Sequence, residues 1–238
     1  MATGSRGGKI RVILLPGMFS TIAEDWEPHF EAIVEAGFEP VGIDWPGHGN
    51  TESLPDTMTL QSLVDYILTK LDTITDEPVL IWGYSLGGYV ALELERQSPS
   101  RCWAIWMHAT KFFWSDDEIN TFRSSFDSKV IALARKEALE KLFGNRWLEL
   151  AKRNSQLFED IVEFGLSLDD IDEIRLPVLV SVGDQDDLVA AEEVEQLADE
   201  LIMGEPQIIP GVRHSLHTTR SSLIIPVAEE FSHRVLAG

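Results

Sequence analysis

The chain has 238 residues, 44% hydrophobic and 25% charged, with a formal net charge of −21. That length suits one domain with a large core, and the acidic balance excludes nucleic acid and anionic membrane surfaces as partners, because both need basic patches. It also disfavours a strongly anionic substrate, no apolar run is long enough to span a bilayer, and the single Cys102 excludes an internal disulfide.

Residues 1–8 carry no signal-peptide pattern and read as a flexible tail. With the lone cysteine, that suits a reducing cytoplasm. An apolar run at 10–15 predicts the first strand, closing in Leu14-Leu15-Pro16-Gly17-Met18. A helical stretch at 24–36 leads to a strand at 40–44 and the turn Asp44-Trp45-Pro46-Gly47-His48-Gly49. A helix at 58–73 precedes a strand at 79–84. That strand runs into Gly83-Tyr84-Ser85-Leu86-Gly87 and then a helix at 86–98. G-x-S-x-G between a strand and a helix is a turn so sharp that bulky neighbours would clash. It strains the serine backbone and lifts its oxygen to the carboxyl edge of a sheet. The helix behind it aims amides at developing negative charge. Tyr84 and Trp45 flank such turns and read as packing residues.

A strand at 103–108 follows, with Cys102 at its start as an inert buried thiol and His108 at its end as a satisfied buried histidine. Residues 111–175 then break the alternation: they carry no strand signal and are rich in aromatics, among them Trp114, Phe122, Phe126, Phe158 and Phe164. Ser115-Asp116-Asp117-Glu118 reads as a capping box, and Ile131 to Phe143 and Trp147 to Phe164 as two further helices. A buried strand at 178–182 leads to Gly183-Asp184-Gln185-Asp186-Asp187, then a helix at 189–202. The last strand, at 206–209, runs into Pro210-Gly211-Val212-Arg213-His214-Ser215-Leu216-His217 and a helix at 221–236. Strands alternating with helices predict a parallel sheet covered on both faces.

A serine needs a base, and the base needs an orienting acid. His214 is the base that the last strand presents, with His217 as a minor neighbour. The acid is sought in the loop after the preceding strand, where Asp184, Asp186 and Asp187 all stand. Taking Asp186, the order Ser85, Asp186, His214 is that of α/β-hydrolases.

On these motifs the chain resembles the α/β-hydrolase family, in its small single-domain serine esterase form, over residues 9–236. The Leu14–Met18 loop resembles the strand end that supplies half of the oxyanion hole. Asp44–Gly49 resembles the D-x-P-G-x-G turn, and the acid resembles the fourth residue of G-x-x-D. One departure is Pro16-Gly17, where the family often has His-Gly. The resemblance implies an α/β-hydrolase fold; with only nine residues before the first strand, the antiparallel hairpin that opens many members is not expected, and the strand count predicts six all-parallel strands. Its core would be 9–110 and 176–238, with a helical cap inserted at 111–175 after the fourth strand. It implies Ser85 as nucleophile, His214 as base, Asp186 as its orienter, and the backbone amides of Met18 and Leu86 as oxyanion donors. His48 would tie down the oxyanion loop. No cofactor or metal is implied, and the partner is a small-molecule acyl substrate, here a small or medium apolar carboxylic ester. Thioesterase, acyltransferase, C–C hydrolase or lyase and perhydrolase chemistry share the triad, and a non-enzymatic ligand receptor shares the fold. Tyr89, rather than arginine, after Gly87-Gly88 weighs against carboxylate-binding C–C hydrolases and lyases. Ser85 weighs against dehalogenases and epoxide hydrolases, which carry aspartate at the elbow.

Overall fold

The computed structural model describes residues 10–51, 54–129 and 131–237, so the predicted tail at 1–8 lies outside the described residues. The strands are Ile10–Leu15 (β1), Phe38–Gly42 (β2), Val79–Tyr84 (β3), Cys102–His108 (β4), Val178–Gly183 (β5) and Gly204–Ile209 (β6). They form one sheet in the order β2-β1-β3-β4-β5-β6, and every pairing is parallel. The helices are Ile22–Asp25 (α1), Phe30–Glu35 (α2), Leu60–Ile74 (α3), Leu86–Gln97 (α4), Asp116–Ser124 (α5), Leu133–Phe143 (α6), Trp147–Phe164 (α7), Leu168–Ile171 (α8), Ala191–Glu200 (α9) and Ser221–Ala237 (α10).

The period-two alternation of each strand divides the core into two layers. Val12 and Leu14 pack with Trp26, Ile33 and Ile224 on one face. Ile13 and Leu15 pack with Leu63, Val90 and Val194 on the other. Every residue of β3 and β5 is buried, which is why both sequences run apolar without alternation. The edge strands β2 and β6 keep exposed positions.

Some elements differ from the sequence expectation, and β6, read at 206–209, begins at Gly204. The helix read at 24–36 is broken into α1, a 3-10 turn at Glu27–His29 and α2. Pro28 sits inside that stretch and has no N–H to continue the ladder. The strand read at 40–44 begins earlier, at Phe38, which is fully buried. It ends before Asp44, whose Oδ1 instead accepts the Ile22 N–H at 2.7 Å. Pro40 is tolerated because β2 pairs on one side only.

Between β4 and β5 stand α5 to α7, the three helices expected there, and the short α8, which was not expected. Ser115 and Glu118 form the capping box that opens α5. The buried face of α7 carries Trp147, Leu150, Ala151, Asn154, Leu157, Phe158 and Ile161, a helical stripe. These helices form a third cluster, which closes on Phe19 from the loop after β1. Phe158 is central, with Trp114, Phe122 and Phe126 rings within 6.1 Å of its own. Phe158→Ala should cost about 3–5 kcal/mol. Phe164→Ala, at a side chain 70% exposed, should change stability by less than about 0.5 kcal/mol. Denaturant midpoints of the two variants measure the contrast.

Candidate active site

The turn from β3 to α4 is as tight as the sequence implies. Ser85 has φ 51° and ψ −114°, a conformation that L residues rarely adopt. A Cβ on Gly83 would collide with the backbone of Gly87 and Gly88, and one on Gly87 with the Leu15 carbonyl. Strain of this kind costs about 1–3 kcal/mol and persists only where the surroundings enforce it. Here the Ser85 N–H donates to the His108 carbonyl at 2.8 Å, and the Thr110 hydroxyl donates to the Ser85 carbonyl at 2.9 Å. Ser85 lines a cavity of about 250 Å³ that His214 also lines.

His214 and Asp186 meet from adjacent strand ends. His214 Nδ1 lies 2.9 Å from Asp186 Oδ2 and 3.1 Å from Oδ1. The Asp186 side chain is 0% exposed. Its Oδ1 also accepts the Leu188 and Val189 N–H groups at 2.8 and 2.9 Å. Burial pushes its pKa up, but the His214 contact and the two amides outweigh burial and hold it below the usual carboxylate range. A carboxylate only accepts, so in the neutral His214 ring the proton belongs on Nδ1 and the lone pair on Nε2. Among the described residues no hydrogen bond joins Ser85 Oγ to His214, a contact that in empty sites is commonly long. Asp184 serves the backbone instead. Its Oδ1 accepts the Gly211 N–H at 2.7 Å and ties the acid loop to the histidine loop. Asp187 is exposed.

The loop after β1 is held at four points. Trp26 Nε1–H donates to the Leu15 carbonyl at 2.9 Å, and Trp45 Nε1–H to the Gly17 carbonyl at 3.1 Å. The Gly17 N–H donates to Asp25 Oδ2 at 2.8 Å, and the Phe19 N–H to Asn154 Oδ1 at 3.1 Å. The amides on either side of Met18 are thus engaged. Among the described residues, neither the Met18 nor the Leu86 N–H meets a protein acceptor. Phe19 itself has φ 57°, a second strained residue at the same edge.

His48 ties this loop down through an intermediary. Its Nδ1–H donates to the Pro46 carbonyl at 3.0 Å, so its Nε2 accepts from Asn154 Nδ2 at 3.1 Å. Burial lowers the His48 pKa to about 4 and keeps the ring neutral, as that relay requires. Asn154 is the link that the sequence reading passed over. Its signal was a polar residue in the middle of the apolar stripe of α7. His108 departs from expectation in part. Trp106 Nε1–H donates to Ser181 Oγ at 2.7 Å, which leaves the hydroxyl hydrogen for His108 Nδ1 at 2.9 Å. His108 Nε2 is buried with no partner among the described residues, and burial lowers its pKa to about 4.

Three charged residues reach the cavity unannounced: Asp25, Glu24 and Arg135. Tyr84, read as packing, also lines it, its ring 5.6 Å from that of His214. His217 lines it too. The insertion contributes Phe122 and Phe126. A smaller space of about 40 Å³ also adjoins Ser85, lined by Leu86, Tyr89, Trp114, Phe122, Phe158 and Ile161 and sharing Met18, Phe122 and Leu188 with the larger one. Lys111 at its edge is taken up by Glu118 and Glu193, at 2.7 and 2.6 Å.

Residues 12–223 match the sequence model of the alpha/beta hydrolase family. The chain belongs to that family. Its relatives are distant. The (E)-2-((N-methylformamido)methylene)succinate hydrolase of Acinetobacter baylyi is 23% identical, over 83% of this chain and 81% of that protein. Human serine hydrolase BPHL is 20% identical, over 94% and 79%. Two other curated relatives are matched over only 32% and 41% of their own length. Among solved structures, the thermophilic esterase of Thermogutta terrifontis superposes with a TM-score of 0.78 at 19% identity, covering 96% of this chain and 91% of the other. That similarity is one of fold.

Asp25 gives a test of these electrostatics. It is 2% exposed, and burial raises its pKa from 3.8 to about 7, against the pull of the Gly17 N–H. Between these values the folded state binds a proton that the unfolded chain does not. Stability therefore falls as pH rises towards 7 and is flat above it. Asp25→Asn keeps an oxygen for Gly17 and removes the charge. It should raise the melting temperature at pH 8, by a few kcal/mol in stability terms, and bring little gain near pH 4. Thermal melts across that range measure it.

Proposed function

We propose that the chain is a serine hydrolase that cleaves a small or medium apolar carboxylic ester through an acyl-enzyme. The observation that carries this reading is the buried Asp186 carboxylate 2.9 Å from His214 Nδ1, in a cavity shared with the strained Ser85. In this reading Ser85 Oγ attacks the acyl carbonyl and gives its proton to His214 Nε2. Asp186 accepts the Nδ1–H bond and stabilises the imidazolium. The carbonyl oxygen becomes an oxyanion between the Met18 and Leu86 amides, each worth about 3 kcal/mol in comparable sites. Collapse expels the alcohol, which takes the proton from Nε2. Water then attacks the acyl-enzyme by the same route, releasing the acid and restoring Ser85. These steps call on no cofactor or metal.

The acyl group is placed in the smaller space beside Leu86. Its aromatic lining favours an apolar chain, and its volume of about 40 Å³ favours a short one. Lys111 is already paired with two carboxylates and adds no free positive charge for an anionic acyl group.

Ser85→Ala should keep the fold and lose nearly all turnover, and a fluorophosphonate probe should label wild type at Ser85 alone. Labelling elsewhere would refute the assignment. Asp186→Asn should lower kcat by about 10⁴, as loss of tautomer control does in such triads. Asp184→Asn should act through the Gly211 contact, mildly and mainly on stability. An acyl series from butyrate to palmitate, run beside acyl-CoA thioesters, tests the substrate class. Rates should peak at the short end, and a palmitate maximum or faster thioester cleavage would favour a lipase or a thioesterase instead.

A further inference from the structure

The two spaces that meet at Ser85 differ in chemistry. The larger carries Ser20, Glu24, Asp25, Tyr84 and Ser215, while the smaller is apolar and aromatic. His214 lines only the larger. The group expelled from the substrate must take its proton from His214, so under the hydrolase reading it lies in the larger space. The acyl part then faces the aromatic one.

That polar space holds hydrogen-bonding capacity that the protein itself does not use. Asp25 is 2% exposed; its Oδ2 accepts the Gly17 N–H and the Ser20 hydroxyl also lies against its carboxylate, whose remaining acceptor capacity faces the cavity. Tyr84 is 7% exposed, and beyond the Leu216 backbone its phenol has no hydrogen-bond partner among the described residues. Glu24 stands beside them, one oxygen accepting from the Ser20 hydroxyl at 2.8 Å. These groups line the cavity, and the polar atoms they show to it are acceptors, or in the case of Tyr84 both donor and acceptor. The opposing charge is Arg135, exposed at the rim and 5.9 Å from the Phe19 ring. It sits at the mouth, whereas Asp25 is buried. A net charge of −21 adds a long-range attraction for cations.

We infer that Glu24 and Asp25 form a cation subsite, and that the preferred substrates are esters of an apolar acid whose leaving group carries a protonated primary amine. This rests on the hydrolase reading for its place in the reaction, but not for binding. An ammonium supplies three donors, one each for the Asp25 carboxylate, Glu24 and the Tyr84 oxygen. Its charge falls where two carboxylates converge.

Two measurements separate the subsite from the reaction. The first compares three butyrate esters of near-equal shape: 4-(aminomethyl)phenyl, 4-ethylphenyl and 4-(carboxymethyl)phenyl. At pH 8 kcat/KM should be about tenfold higher for the ammonium ester than for the ethyl ester, and lowest for the carboxylate. Glu24→Gln and Asp25→Asn should each shrink the ammonium-to-ethyl ratio several-fold. A ratio of one in wild type, or a ratio that neither variant moves, overturns the subsite. A carboxylate preference overturns it in favour of Arg135. The second measurement is calorimetric binding of benzylamine and benzyl alcohol to the Ser85→Ala protein, which needs no turnover. Benzylamine should bind about tenfold tighter, and Glu24→Gln should remove that difference. If benzylamine binds so while no ester is cleaved, the subsite stands and the hydrolase reading fails. If esters are cleaved but benzylamine binds no better than the alcohol, the subsite fails and the hydrolase reading stands.

Discussion

Everything at the carboxyl edge of the sheet depends on one strained residue. Ser85 holds φ 51° between a strand and a helix that approach so closely that no Cβ fits at Gly83 or Gly87. The conformation is unfavourable in isolation and is imposed from both sides. β3 is buried along its whole length and cannot shift, and α4 is buried over ten residues. The His108 carbonyl at the end of β4 fixes the Ser85 amide, so the neighbouring strand sets the serine's height. Hydrophobic burial in two layers thus supplies the force that a short glycine-rich turn then converts into a displayed hydroxyl.

The loop after β1 is governed differently. It has no regular hydrogen-bond ladder, so buried side chains hold it instead: Trp26, Trp45, Asp25 and Asn154 each bond one of its backbone groups. Three of these come from the core, and Asn154 comes from α7 of the insertion. The segment between β4 and β5 therefore also reaches the loop after β1. Through Asn154, and through the stacking of Phe19 on Phe143 at 5.3 Å, it shares in fixing the backbone beside Met18. Polar groups with no alternative partner in a dry interior set this geometry more sharply than apolar packing does.

The two carboxylates at the site also part company for physical reasons. Asp186 and Asp25 are both buried, but Asp186 bonds a histidine and two amides that favour its charge, whereas Asp25 bonds one amide and a serine hydroxyl and has the Glu24 charge beside it. One is held below the ordinary carboxylate range and the other is lifted to about 7. Partner count, not burial alone, decides the direction.

The sequence by itself determined the sheet, its parallel sense and its helix layers, because strand and helix periodicities are local and every strand of this chain is bounded by turn residues. It also determined the chain order of Ser85, Asp186 and His214, since each stands directly after a strand and the loop lengths leave little freedom. Position after a strand left Asp184, Asp186 and Asp187 open, and the choice of Asp186 came from the resemblance to G-x-x-D. They differ only in which way each side chain points, and that is set by the approach of two loops that meet at Gly183 and Val212. Asp25, Glu24 and Arg135 were likewise silent in the sequence, and Asn154 showed only as a polar residue within an apolar stripe. Asn154 lies 106 residues from the His48 it bonds, and Arg135 belongs to a helix whose placement depends on aromatic packing. Local chemistry can be read along a chain. Contacts between distant polar residues exist only after the apolar core has decided which faces meet.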